Sequence, residues 1–140
     1  MFILVRKVLL MALVVFFGAF ASVGAQELFI SELMAVNNGT IEDEDGNTPD
    51  WIEIFNAGDT AQNLSGYFLT DDPLVPEKWR FPSVSVAPGG FLLVFASDKD
   101  RRVAGSELHA NFKLSSSGEF LGLIAPDGET LVDQIHPFPP

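Results

Sequence analysis

Past residue 25 the chain alternates short apolar runs with turn residues, and no segment holds a helical period of useful length. Leu28-Phe29-Ile30-Ser31-Glu32-Leu33 predicts a strand that runs into the turn signal Asn37-Asn38-Gly39. In Trp51-Ile52-Glu53-Ile54-Phe55 the strand period puts Ile52 and Ile54 on one face and Trp51, Glu53 and Phe55 on the other. Asn56-Ala57-Gly58-Asp59 ends that strand. Gly66-Tyr67-Phe68-Leu69-Thr70 is a further strand, closed by Asp71-Asp72-Pro73, where adjacent carboxylates before proline shape a turn. Lys78-Trp79-Arg80-Phe81-Pro82 alternates charge and aromatic, as a half-exposed strand does. Ala87-Pro88-Gly89-Gly90 turns the chain into Phe91-Leu92-Leu93-Val94-Phe95, whose unbroken apolarity predicts burial on both faces. Phe112-Lys113-Leu114 is expected as a short strand. Phe120 to Ile124 and Thr130 to Ile135 flank Pro126-Asp127-Gly128 and read as a hairpin. The Pro-rich end, His136-Pro137-Phe138-Pro139-Pro140, is excluded from any central strand because proline donates no ladder hydrogen bond. Many short strands with Gly and Pro between them predict an all-β sandwich.

The first 25 residues differ in kind. Arg6 and Lys7 precede a continuous apolar stretch from Val8 to Phe20, and Val23-Gly24-Ala25 supplies small residues suited to cleavage. The apolar core falls short of the roughly 20 residues a spanning helix needs. Residues 1–25 are therefore expected to be a signal peptide, with Gln26 the first mature residue, the protein exported to the cell surface or beyond, and no transmembrane span left after cleavage. Residues 26–140 form one domain, expected to be monomeric.

Composition narrows the chemistry. The chain has no cysteine, which excludes disulfide scaffolds, thiolate metal sites and cysteine nucleophiles. Of 8 Lys and Arg, Arg6 and Lys7 lie in the signal peptide, leaving 6 against 19 acidic residues, a formal charge of −13. Such a surface repels phosphate backbones, so nucleic acid is not an expected partner, whereas cations and basic partners are favoured. Simple solubility accounts for the charge equally well.

Two long stretches carry a family resemblance: Trp51 to Asp59, and Leu64-Ser65-Gly66-Tyr67-Phe68-Leu69-Thr70-Asp71-Asp72. Together with Lys78 to Pro82, Ala87 to Phe91, and Glu107-Leu108-His109-Ala110-Asn111-Phe112-Lys113-Leu114, they resemble the lamin-tail domain in its bacterial secreted form. The likeness runs from about Leu28 to the C-terminus with the motifs in order. It implies an immunoglobulin-like antiparallel β-sandwich, used beside other modules for association or surface attachment. Bacterial members commonly continue past the Phe-Pro-Pro region, so the resemblance also implies an abbreviated or partial domain whose closing edge strand is missing.

The acidic loop Glu42-Asp43-Glu44-Asp45-Gly46-Asn47-Thr48-Pro49-Asp50 is the one constellation that suggests ligand chemistry. Asp43, Asp45 and Asp50 offer the oxygen ligands a hard cation such as Ca2+ needs. The spacing is not that of an EF-hand, and a solvated acidic turn is favoured over calcium. Trp51 and Trp79 read as packing residues, with stacking on a sugar face as the alternative. Neither histidine, His109 or His136, lies in a zinc-type spacing, and no serine sits in a nucleophile elbow. Two Asn-x-Ser/Thr triplets, at Asn38 and Asn63, read as chance occurrences. The function expected is that of a non-catalytic module binding a protein, glycan or cell-surface component. The alternative is a calcium-stabilised structural domain, accessory to a larger secreted protein.

Overall fold

A computed structural model describes residues 26–135. The predicted signal peptide and residues 136–140 lie outside the described residues. Ten strands follow in order: β1 (Leu28–Met34), β2 (Asp50–Asn56), β3 (Gln62–Asn63), β4 (Phe68–Thr70), β5 (Trp79–Arg80), β6 (Ser85–Val86), β7 (Phe91–Ala96), β8 (Leu108–His109), β9 (Leu121–Ile124) and β10 (Leu131–Ile135). They form two four-stranded sheets, β1-β2-β7-β8 and β10-β9-β4-β5, with β3-β6 as a small separate ladder. Every pairing is antiparallel except β7 with β8. The result is the expected immunoglobulin-like β-sandwich. Among the described residues no helix is long and apolar enough to cross a membrane.

Strand alternation decides what lies between the sheets. Ile52 and Ile54 of β2 are fully buried, as are Val94 of β7, Leu69 of β4, and Leu121 and Leu123 of β9. All join one cluster with Leu28, Ile30, Trp79 and Phe81. Each fully buried aliphatic side chain there contributes about 1.5–3 kcal/mol relative to exposure. The edges of the two sheets meet where β1 lies beside β10. There the Ile30 amide donates to the Asp133 carboxylate at 2.8 Å. β1 carries a bulge at this place, between Ile30 and Glu32.

Asn56 closes the end of β2 from inside. Its buried amide donates to the carbonyls of Thr60, Val86 and Ala87, while its Oδ1 accepts from the Gly58 amide at 2.9 Å. The predicted stop after Phe55 is thus a polar anchor that ties β2 to β6. The predicted 120–135 hairpin forms between β9 and β10. Its turn is shaped by Asp127, whose carboxylate accepts from the Glu129 and Thr130 amides.

Two expectations need correction, and for the two tryptophans burial favours packing over the sugar-stacking alternative. Phe91 to Phe95 is not buried on both faces throughout: Phe91 is 60% exposed, and only Val94, Phe95 and Ala96 are buried. Among the described residues the start of β7 is left open to solvent at Phe91. Phe112 to Leu114 forms no strand but a single bridge from Lys113 to Ser97 and one bond from the Asp98 amide to the Phe112 carbonyl, because the opposing segment leaves extended conformation at Asp98, whose φ is 63°. Trp51 and Trp79 are 5% and 1% exposed, so neither offers a ring face for a sugar.

Candidate functional site

The outer face of the first sheet, turned away from the core, carries three cross-strand rows. Register places Met34, Trp51 and Phe95 in line across β1, β2 and β7, continued by His109 of β8. Glu32, Glu53 and Leu93 form the middle row, and Phe29, Phe55 and Phe91 the third. The first row is covered: Trp51 is 5% exposed, Phe95 2% and His109 0%, and none of the three belongs to the core between the sheets. The third row is open. Its burial falls from the half-buried Phe29 and Phe55 to the exposed Phe91, whose ring stacks on Phe55 at 4.8 Å between centroids.

The loop between β1 and β2 roofs the covered row. Asn37 pins both ends of it. The buried amide nitrogen donates to the Ile41 and Pro49 carbonyls at 2.7 and 3.0 Å, and Oδ1 accepts from Thr40 at 2.9 Å. At the loop tip, Asp43 Oδ1 accepts from the Asp45 and Asn47 amides, and Gly46 takes the positive φ of 73° that the turn requires. The opposing wall is the segment after β7. Its backbone turns through Asp98 and Asp100, both at positive φ, and brings Lys99 and Arg101 to the loop and Ser97 to His109. Backbone bonds from Asp98 to Phe112 and from Arg101 to His109 hold this segment against the chain that follows β8.

Charge closes the clasp. Lys99 Nζ contacts Asp43 Oδ2 and lies 2.7 Å from Asp45 Oδ2; Arg101 contacts Glu44 and lies 2.7 Å from the same Asp45 oxygen. The buried His109 bridges the two layers, with Nδ1 at 2.8 Å from Ser97 Oγ and Nε2 at 2.9 Å from Glu44 Oε2. Its ring stacks on Phe95. Glu107 accepts from the Glu44 amide at 2.7 Å.

The lamin tail domain family model matches residues 22–138. The chain belongs to this family. No curated protein sequence matches it. The lamin tail domain is an immunoglobulin-like structural and interaction fold that is not generally catalytic, and the family assignment agrees with the strand order and the motifs read from the sequence.

In this lamin tail domain the three carboxylates proposed as calcium ligands have different surroundings. Asp43 and Asp45 meet at Lys99, whereas Asp50, at the start of β2, reaches back to the Asn37 amide at 3.4 Å. Burial pushes the Asp43 carboxyl up, but the Lys99 ammonium and two backbone amides outweigh it and hold the group below its ordinary value. Lys99 and Arg101 lower Asp45 in the same way. Glu44 lies well below the usual carboxylate range because of the Glu107 carboxyl and His109 beside it, and Glu107 is raised in turn by sharing that contact. Burial raises Asp50. One ligand atom each from Asp43, Glu44 and His109 lies within 4.8 Å of the others, so these residues, rather than Asp43, Asp45 and Asp50 together, form the compact donor set. A divalent cation there would have to displace the Lys99 ammonium and compete with Arg101.

Lys99, Arg101, His109 and Glu107 were not legible as partners of the loop. Nothing local in the sequence after Ala96 says that Lys99 and Arg101 meet the acidic loop. The Phe29–Phe55–Phe91 row depends on register across three strands and was equally hidden.

Proposed function

We propose that the mature domain is an exported, non-catalytic interaction module that presents the open part of the β1-β2-β7 face to a partner at or beyond the cell surface. The observation that carries this reading is the Phe29–Phe55–Phe91 row, an apolar strip on a sheet whose equivalent row 51–95–109 is covered by the chain's own loop. A non-catalytic role is supported by the family fold, which is not generally catalytic, and by the complete burial of His109, which keeps its contacts with Ser97 and Glu44 out of reach of a substrate. Export rests on the signal-peptide features of residues 1–25 and predicts Gln26 as the N-terminus of the exported protein, a point that mass spectrometry of the secreted fraction decides.

The experiment that tests the face compares retention of the exported protein on the producing cell's envelope fraction with that of Phe91→Ser and of Phe55→Ser combined with Phe91→Ser. Phe91 is mostly exposed, so the single variant folds. Loss of retention in both variants is expected. Retention equal to the parent's would overturn the reading.

A further inference from the structure

The open strip is bordered by a feature the fold itself does not explain. Glu32 and Glu53 stand directly opposite each other on β1 and β2, on the same outward face. Like charges in that position destabilise a sheet. Glu53 Oε1 accepts from Ser31 Oγ at 2.7 Å, but among the described residues neither carboxylate has an ion-pair partner. Four of the six cations of the mature chain are engaged elsewhere: Lys78 by Asp71, Lys99 and Arg101 in the clasp, and Arg102 by Asp100. An apolar row of three phenylalanines and a parallel row of two carboxylates therefore lie side by side, one strand period apart. β8 reaches only Val94 and Phe95, so Phe91 stands at the sheet margin, where an extended chain can cross the face.

We infer that this face docks an extended, cationic protein segment, its apolar side chains on Phe29, Phe55 and Phe91 and its Lys or Arg on Glu32 and Glu53. The inference rests on the interaction reading above and specifies its partner. A second copy of residues 26–140 is the wrong occupant, because those residues carry a formal charge of −13 and would bring further carboxylates to the same row. An extended peptide fits better than a sugar, since its residues i and i+2 face the same way at the spacing of one two-residue strand step, so a cationic and an apolar side chain two positions apart meet the Glu53 and Phe55 rows together. The two carboxylates supply specificity and encounter rate, and the phenylalanines supply the buried area.

The test uses a short fluorescent peptide in which lysine and leucine take turns at every second position with serine between them, so that both face one side of the extended chain, and its glutamate-for-lysine counterpart, titrated into the exported protein and followed by anisotropy. The lysine peptide is expected to bind and the glutamate peptide not. Binding is expected to weaken as salt is raised, and to fall about three- to tenfold in Glu32→Gln combined with Glu53→Gln. That variant removes a like-charge pair, so its melting temperature stays level or rises, which separates lost binding from lost folding. The inference is overturned if the lysine peptide fails to bind, if the carboxylate variant binds it as the parent does, or if a neutral oligosaccharide binds the face in its place. Concentration-dependent dimerisation abolished by Phe91→Ser also overturns it, by making a second copy the occupant. The two readings fail separately. If Phe91→Ser abolishes envelope retention while the carboxylate variant keeps it, the face stands and the cationic partner falls.

Discussion

The outer face of the β1-β2-β7-β8 sheet holds two aromatic rows that differ in what lies above them. Met34, Trp51, Phe95 and His109 sit beneath a loop that the chain folds back over them, fastened by Asn37 at its base and by Lys99 and Arg101 at its tip. Phe29, Phe55 and Phe91, two rows away on the same strands, have no such roof among the described residues. Apolar surface removed from water stabilises the fold, and apolar surface left in water does not. The covered row is therefore part of the structure, a second small core outside the sandwich. The open row contributes little to folding and raises the risk of association, which is the reason to look for its use outside the domain.

The largest expected difference between the two rows is in stability. Trp51→Ala empties the covered row and is expected to cost about 3–5 kcal/mol in urea denaturation. Phe91→Ser on the open row should change stability by no more than about 0.5 kcal/mol. Similar losses at the two positions would erase the distinction. Next comes the fastening of the roof. Asn37→Ala leaves the Ile41 and Pro49 carbonyls without their donor, and about 1–3 kcal/mol should be lost. The loss should appear together with faster amide exchange across residues 38–49 and unchanged exchange in β9. Uniform loss of protection would mean that the loop and the sandwich are a single cooperative unit.

Acid should separate the rows more gently. The carboxyl groups of Asp43, Glu44 and Asp45 are held below their ordinary values of 3.8, 4.5 and 3.8, so the stability they contribute is present above that range and is lost as pH falls below it. Glu107 and Asp50 are raised, act in the opposite sense, and take up their protons first on the way down. The clasp should hold at pH 5 and loosen below about pH 4. The Trp51 indole resonance should shift there while that of Trp79 in the core does not. Lys99→Met should move the Trp51 transition to higher pH by removing the ammonium that favours ionised Asp43. Coincident transitions of both tryptophans at every pH would show that no separate loosening occurs.

The smallest effect is expected from calcium. With Lys99 already between Asp43 and Asp45, millimolar calcium should raise the melting temperature no more than sodium chloride of equal ionic strength. A larger rise, lost in Asp43→Asn, would place a metal where the ammonium now lies. It would turn the covered row into a ligand-dependent one.

What the sequence reveals of this divided face follows from the range of each interaction. The two faces of Trp51 to Phe55 can be read from alternation alone, and the 120–135 hairpin from an apolar run, a Pro-Asp-Gly turn and a second run. Both are local patterns. The two-residue strands β3, β6 and β8 cannot be read in this way, because Gln62, Ser85 and Leu108 become strand residues only through the partners the fold brings to them. The acidic loop was legible as charge but not as a clasp. Its counter-ions lie more than fifty residues further along, and their arrival depends on how the segment after β7 turns through Asp98 and Asp100, both in left-handed backbone conformation. The open row was hidden for the same reason: each phenylalanine is visible by itself, but their alignment requires the register of two strand pairs.

The contact between Asp133 and the Ile30 amide has a consequence for many copies of the domain at once. β1 is an end strand of its sheet, with β10 beside it, and an amide left bare there would be an invitation for a neighbour's strand to add on. Asp133 occupies that donor with a negative charge, and the bulge beside it breaks the straight line of groups that an incoming strand would have to match. A protein crowded on a surface could then display its phenylalanines at high density without zipping edge to edge into fibres.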